Sequence, residues 1–137
     1  MGAMDSTAPD LRVKILVVDD EPKVIELIRK MLEGYGYGVV SAADGPEALQ
    51  QAREHRLDLI LLDLAMPNMH GLEVLTQLRA SKITSQIPVI VVTAHNDTRS
   101  ILKAKELYVA EYLTKPFDLD ALLDAVRRSL GPVNRQA

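Results

Sequence analysis

The stretch KILVVDDEPKVIELI, residues 14–28, decides the fold of this chain. Its apolar run does not alternate with polar positions, which is typical of a strand that is covered on both faces. Asp19 and Asp20 close that run, and apolar residues at helical spacing follow them. We therefore expect a buried strand whose carboxyl end is marked by two aspartates, and then a one-sided amphipathic helix.

A short apolar segment followed by a helical segment occurs five times along the chain. The apolar segments are residues 13–18, 39–42, 57–62, 89–92 and 112–113. The helix signals are Gly34 after the first helix, Asp44 or Gly45 with Pro46 before the second, the apolar spacing over 71–79 for the third, Asn96 or Asp97 before the fourth, and Asp118 and Gly131-Pro132 around the fifth. Crossovers of this length require parallel strands joined right-handedly. The predicted fold is α/β, a doubly wound five-stranded parallel sheet with five flanking helices.

The composition sets the size and the excluded classes. The chain has 137 residues, which suits one domain, and we expect an expression scar with a flexible leader over 1–12, the domain over 13–131 and a tail over 132–137. It has no cysteine, which excludes disulfides and thiolate metal sites and suits the cytoplasm. No apolar run approaches the ~18 to 20 residues that span a bilayer. A net charge of -3 gives no basic footprint, so we expect no direct binding of nucleic acid.

Reactive side chains stand where the predicted strands end. Asp19 and Asp20 end the first strand, Asp63 ends the third, Thr93 the fourth and Lys115 the fifth. In an open parallel sheet, ligands bind outside the carboxyl ends of the strands. An isolated aspartate at a strand end is usually a turn former and a lone lysine is usually solvated, but their joint order is far more specific. We expect all five side chains at one edge.

Three carboxylates at one edge need a cation or shifted pKa values. Within ~5 Å each pair repels by roughly 3 kcal/mol at an effective dielectric constant of ~20. Mg²⁺ is the natural cation, because it prefers oxygen ligands and is commonly held by one or two carboxylates. Zinc fits poorly, since the histidines show no ligand spacing and are assigned ordinary surface roles. These histidines are His55, His70 and His95.

An acidic metal site beside a lysine and a hydroxyl suits phosphoryl transfer. Asp63 could attack phosphorus and form an acyl phosphate while Mg²⁺ screens the negative charge. Lys115 would pair with one phosphoryl oxygen, and Thr93 would donate a hydrogen bond to another.

Four stretches together resemble the receiver family of response regulators, over about residues 14–130. They are VVDDEP, LLDLAMPNMHGLEVL, VIVVTAH and YLTKPFDLDALL. The resemblance implies the strand order 2-1-3-4-5 and makes Asp63 the residue that accepts a phosphoryl group from a sensor histidine kinase or phosphotransfer protein. It further implies that Mg²⁺ is bound by Asp19, Asp20 and Asp63 together with the backbone carbonyl of Ala65.

The resemblance also implies a switch and a partner surface. Thr93 would move toward the phosphoryl group, and the ring of Tyr112 would turn into the space it leaves. The Lys115-Pro116 bond would be cis. Helix 4, strand 5 and helix 5 would bind an effector or a second copy of the chain. Such a protein is a signalling domain rather than an enzyme, with phosphotransfer to itself and slow self-hydrolysis as its only chemistry.

Three positions depart from the family pattern or vary within it. Tyr108 stands where family members often have a glycine that ends the fourth helix, and we predict a reshaped or longer helix end, since left-handed backbone is unfavourable for tyrosine. Ala65 and His95 each lie two residues beyond a signature residue, where side chains tune the lifetime of the acyl phosphate.

Other functions remain open at this point. A Mg²⁺-dependent phosphatase with an aspartyl intermediate would place a second carboxylate at position 65, where this chain has alanine. A flavin- or nucleotide-binding domain would have a glycine-rich loop after the first strand, where DDEPK stands. A receiver-like module could also bind partners without phosphorylation. As a receiver, the chain could act alone or be cut from a longer regulator.

Overall fold

The structure is a computed structural model that describes residues 12–66, 69–93 and 98–131, and the predicted tail and all of the leader but Arg12 lie outside these ranges. Within them, the five predicted strands and five predicted helices are all present. They are β1 (Lys14–Val18), α1 (Pro22–Glu33), β2 (Gly38–Ala42), α2 (Gly45–Glu54), β3 (Leu59–Asp63), α3 (Gly71–Ala80), β4 (Val89–Thr93), α4 (Thr98–Glu106), β5 (Glu111–Thr114) and α5 (Leu119–Leu130). None of the helices in the described ranges is long and apolar enough to cross a membrane.

The strands form one parallel sheet in the order β2-β1-β3-β4-β5, which confirms the predicted fold. Helices cover both faces. Alternate residues of β1 enter two separate cores. Leu16 and Val18 pack in the core with α2, α3 and α4, and Ile15 and Val17 pack in the core with α1 and α5. All four side chains are buried, so neither face of the strand needs polar residues. This explains why the deciding stretch shows no alternation.

Two of the predicted caps at helix N-termini are present. Asp44 accepts a hydrogen bond from the Glu47 N–H at 2.8 Å before α2, and Asp118 accepts one from the Ala121 N–H at 2.8 Å before α5. The predicted cap of the fourth helix, Asn96 or Asp97, lies outside the described residues.

The end of α4 corrects one prediction. The helix ends at Glu106, and Tyr108 has a φ of 60°, the left-handed conformation that a glycine would adopt there. The expected longer or reshaped helix end is therefore wrong. The Tyr108 side chain is 83% exposed, so the turn carries the ring without displacing any packed neighbour.

Arg79 of α3 holds that turn in place. Its guanidinium donates four hydrogen bonds to backbone carbonyls on two loops, namely Leu107 at 2.8 Å, Tyr108 at 3.2 Å, Ser85 at 3.1 Å and Ile87 at 2.8 Å. Bonds from a charged donor are worth about 1.5–3 kcal/mol each. Together they can offset the ~1–2 kcal/mol that left-handed backbone costs an L-residue.

The edge strand β2 has its outward carbonyls occupied. Alternate residues of β2 bond to β1, which leaves the carbonyls of Val39 and Ser41 pointing away from the sheet. Arg29 of α1 donates to the Val39 carbonyl at 3.2 Å, and Gln51 of α2 donates to the Ser41 carbonyl at 3.2 Å. One side chain from each helical layer thus reaches the edge.

Candidate functional site

The carboxyl ends of the central strands bring the predicted reactive residues to one edge of the sheet. Asp19 follows β1, Asp63 and Thr93 are the last residues of β3 and β4, and Lys115 follows β5. Asp19 and Asp63 are buried, with 2% and 5% of their surface exposed, whereas Asp20 is exposed. The carboxylates of Asp19 and Asp63 are therefore buried, and that of Asp20 faces solvent.

Lys115 joins the two buried carboxylates. Its Nζ lies 2.8 Å from Asp19 Oδ2 and 3.2 Å from Asp63 Oδ2. The lysine backbone is fixed as well, because its N–H donates to the Thr93 carbonyl at 2.7 Å. The Lys115-Pro116 peptide bond is cis. One cation just beyond β5 is thus shared between the carboxylates at the ends of β1 and β3.

In each buried carboxylate, the oxygen that does not contact Lys115 accepts a hydrogen bond from the backbone N–H two residues later in the chain. The Glu21 N–H donates to Asp19 Oδ1 at 2.9 Å, and the Ala65 N–H donates to Asp63 Oδ1 at 3.0 Å. Both oxygens of each group therefore have a donor. The carboxylates are fixed in orientation before any ligand binds.

The electrostatics of the site follow from burial and from these partners. Burial raises the pKa of the Asp63 carboxyl above its usual range and the charge of Asp19 adds to this, although the Ala65 N–H and Lys115 oppose it. Burial alone would lower the pKa of Lys115, but its hydrogen bond to Asp19 and the charge of Asp63 outweigh that effect and raise it. The ammonium group of Lys115 therefore stays charged at neutral pH.

The donor set fits a hard divalent cation. One carboxylate oxygen from each of Asp19, Asp20 and Asp63 lies within 4.8 Å of the others. All three groups offer oxygen, which is what Mg²⁺ prefers, and they leave room for water or phosphate oxygens in the remaining positions. The carbonyl of Ala65, an exposed residue two positions beyond the end of β3, is the fourth ligand in the prediction.

The predicted switch residues lie on β4 and β5. Tyr112 is half-buried, and its hydroxyl donates to the Ile101 carbonyl of α4 at 3.4 Å, so it faces that helix rather than the acidic cluster. Burial raises the pKa of Tyr112 above its usual value, which keeps the hydroxyl protonated as a donor. His95 lies outside the described residues.

His70 has a role that the sequence analysis missed. Its Nδ1 accepts a hydrogen bond from the Leu72 N–H at 3.1 Å, so the imidazole caps α3. The signal was available, since the residue directly before a predicted helix is the usual capping position. Histidine is not a common capping residue, which is why a surface role was assigned instead.

Comparisons with known proteins agree with the resemblance. The family model described as the response regulator receiver domain matches residues 15–127. The transcriptional regulatory protein PhoP of alkaline phosphatase synthesis in Bacillus subtilis is 40% identical over 84% of this chain and 48% of its own length. The DNA-binding response regulator MtrA of Mycolicibacterium smegmatis is 39% identical over 88% of this chain and 51% of its own length. The chain thus spans about half the length of these curated relatives.

Solved structures resemble the whole sheet. The chemotaxis protein CheY4 of Vibrio cholerae superposes with a TM-score of 0.83 at 32% identity, covering 87% of this chain and 99% of that one. The response regulator TrrA of Thermotoga maritima, solved in complex with Mg(2+)-BeF, has a TM-score of 0.75 at 38% identity and covers 83% and 96% of the two chains.

Proposed function

Because the chain belongs to the response regulator receiver family, a family of signalling domains in two-component regulation, we propose that Asp63 is its phosphoacceptor. The proposal includes a receiver domain over residues 13–131. The observation that carries it is the state of Asp63, which is buried, is held by the Ala65 N–H and Lys115, and lies within 4.8 Å of two further carboxylates.

The reaction moves one phosphoryl group from a phosphohistidine to Asp63. A carboxylate oxygen of Asp63 forms the bond to phosphorus while the phosphorus–nitrogen bond of the donor breaks, and the electron pair stays on the imidazole nitrogen. Lys115, already 3.2 Å from Asp63 Oδ2, pairs with a phosphoryl oxygen as negative charge accumulates there. The Ala65 N–H fixes the other carboxylate oxygen of Asp63, so the nucleophile is oriented in advance.

Asp19, Asp20, Asp63 and the Ala65 carbonyl would hold Mg²⁺. When bound, Mg²⁺ supplies positive charge that reduces repulsion between the carboxylates and the incoming phosphoryl oxygens. The related protein TrrA was solved with Mg(2+)-BeF, which supports this assignment.

Thr93 and Tyr112 would transmit the phosphorylated state. Thr93 ends the strand beside Asp63, so its hydroxyl needs only a local movement to donate to a phosphoryl oxygen. Tyr112 is bonded to α4 through the Ile101 carbonyl, and a change in its ring position would alter that helix. New charge-assisted hydrogen bonds at the site thereby bias a two-state surface.

The partners follow from the same proposal. A sensor histidine kinase or phosphotransfer protein in the cytoplasm supplies the phosphoryl group. The face formed by α4, β5 and α5 binds an effector or a second copy, and on it Leu102 and Tyr108 are 55% and 83% exposed. PhoP and MtrA are named as transcriptional or DNA-binding regulators and are about twice as long, so we propose that this receiver acts alone or within a longer regulator of that kind.

Intact mass after incubation with acetyl phosphate and Mg²⁺ tests the phosphoacceptor. We expect one added phosphoryl group, lost in Asp63→Asn and without Mg²⁺, and kept in Asp58→Asn as a matched aspartate outside the site. No adduct, with beryllofluoride also failing to bind, would leave a module that binds partners without phosphorylation. Sustained turnover of phosphate esters would instead identify a phosphatase.

Sedimentation with and without beryllofluoride tests the α4, β5 and α5 face. A mass increase that Leu102→Ser abolishes and Leu27→Ser leaves unchanged would identify a homodimer on that face. Both leucines are 55% exposed, which makes the second variant a matched control.

A further inference from the structure

The residue before α3 caps the helix through an imidazole. His70 Nδ1 accepts from the Leu72 N–H at 3.1 Å, and the His70 carbonyl accepts from the Glu73 and Val74 N–H groups at 2.9 and 3.2 Å. The usual capping residues accept through oxygen at any pH near neutrality. An imidazole accepts only while Nδ1 carries no proton, because both ring nitrogens are donors in the cation. The first turn of α3 is therefore capped by a group that can lose this ability.

That first turn lies directly on the backbone that carries Asp63. The Gly71 N–H donates to the Leu64 carbonyl at 3.0 Å. A Cβ atom at Gly71 would lie 2.5 Å from Leu64 Cα and 2.6 Å from the Asp63 carbonyl oxygen. Contact this close means that α3 cannot shift at its start without moving the end of β3. The backbone in this contact carries the Asp63 carboxylate, which accepts from the Ala65 N–H at 3.0 Å.

We propose that His70 is a positioning residue for Asp63, and that protonation of its imidazole releases the first turn of α3 and lowers the capacity of the site to bind a phosphoryl group. This inference rests on the proposed function of Asp63. It adds a pH-dependent element to the receiver that lies outside the acidic cluster.

The charged groups around the cap lie on α3 itself and on the two helices beside it. On α3, Glu73 lies in the first turn, at the positive end of the helix dipole. Met69, the residue before His70, packs against α2 at Gly45. At the start of α2 the side chains of Asp44 and Glu47 already accept hydrogen bonds from backbone N–H groups. On α4, Lys103 and Glu106 line the groove beside Glu73 with opposite charges. A proton on His70 therefore removes the capping bond without gaining a dedicated ionic partner among the described residues.

The experiment compares beryllofluoride affinity, with saturating Mg²⁺, between about pH 5.5 and pH 8 in the wild type and in His70→Asn. Asparagine caps helices well and does not titrate in this range. His55→Asn is the matched control, since His55 also adjoins a helix end but is held there by its backbone N–H. We expect the wild type to weaken by about threefold relative to His70→Asn at the acid end, as the competent population falls, and His55→Asn to follow the wild type.

The outcomes separate this inference from the function on which it rests. Because all variants share the remaining titrating groups of the site, the ratio between wild type and His70→Asn isolates His70. Parallel pH profiles for these two proteins would overturn the role of His70 and leave Asp63 as the phosphoacceptor. Absence of beryllofluoride binding by the wild type at pH 7.5 would overturn both proposals.

Discussion

We expect the substitution Asp63→Asn to stabilise the folded protein in the absence of divalent cations. Carboxylate oxygens of Asp63, Asp19 and Asp20 lie within 4.8 Å of one another, so each pair repels by about 3 kcal/mol at an effective dielectric constant of about 20. Asp20 is exposed, and water screens its share. The attraction to Lys115 at 3.2 Å is about 5 kcal/mol on the same scale.

Attraction and repulsion thus nearly cancel, and the cost of burying the Asp63 charge remains. Asparagine avoids that cost, keeps an oxygen that can accept from the Ala65 N–H, and leaves Lys115 paired with Asp19 at 2.8 Å. The expected gain in the free energy of unfolding is about 1–2 kcal/mol. For a domain of this size, that corresponds to an increase in Tm of about 4–8 °C.

The pH dependence has a definite sign. Because the pKa of Asp63 is raised in the folded state above its ordinary value of 3.8, the folded protein binds a proton more tightly than the unfolded chain. The stability that the folded protein gains from this tighter proton binding is fully present below pH 3.8 and is lost as the pH rises through the pKa of Asp63 in the folded state. Asp63→Asn lacks that loss, so the difference between the two proteins should grow with pH over this window.

Urea unfolding followed by far-ultraviolet circular dichroism measures the effect, in EDTA and again in Mg²⁺. Asp124→Asn on the exposed side of α5 is the matched control and should leave stability unchanged within about 0.5 kcal/mol. Mg²⁺ should stabilise the wild type more than the variant, because the variant lacks one carboxylate ligand. A variant that is less stable than the wild type in EDTA would show that the pair with Lys115 outweighs burial and repulsion, and would refute the reasoning.

Four further predictions follow from contacts described above. Gly71→Ala should lower the free energy of unfolding by about 2 kcal/mol despite the better helix propensity of alanine, because its Cβ would lie 2.5 Å from the backbone at the end of β3. Gly34→Ala, whose nearest contact is at 3.2 Å, should be near neutral. Equal urea midpoints for the two variants would contradict this prediction. Tyr108→Gly should raise the free energy of unfolding by about 0.5–1 kcal/mol in the same assay, since glycine adopts a φ of 60° without strain, and a loss would mean that the ring contributes packing. Arg79→Lys should cost about 2 kcal/mol, because an ammonium group cannot reach four carbonyls at once; an unchanged Tm would show that these bonds are replaced by water. Lys115→Met should slow phosphorylation by acetyl phosphate about 100-fold in an intact-mass time course, and wild-type rates would remove Lys115 from the reaction.

The sequence predicted those features that depend on local pattern. Continuous apolar runs identified the strands because both faces of β1 are buried, in cores that contain Leu16 on one side and Ile15 on the other. Asp118, and Asp44 or Gly45, were predicted as caps because a cap bonds to the backbone only three residues away. The edge of the sheet that carries Asp63 followed from parallel topology alone.

Features that depend on distant side chains could not be predicted in this way. Arg79 looks like an ordinary cation in the last turn of a helix, yet it bonds to carbonyls as far as 29 residues along the chain. Those bonds, rather than the intrinsic preference of tyrosine, hold the left-handed turn at Tyr108. Likewise, the sequence predicts that Lys115 lies near the carboxylates but not that one ammonium group is shared between Asp19 and Asp63.

The occupied edge of β2 has a consequence for association between copies of the protein. An edge strand normally offers a row of unpaired backbone groups that can template pairing with another chain. Here an incoming strand would have to displace Arg29 from the Val39 carbonyl and Gln51 from the Ser41 carbonyl before it could bond to them. Arg29 and Gln51 belong to opposite helical layers, so a movement of one layer breaks only one of these two hydrogen bonds. We therefore expect this edge to resist strand addition and aggregation at high concentration, while contacts between molecules form through the helices.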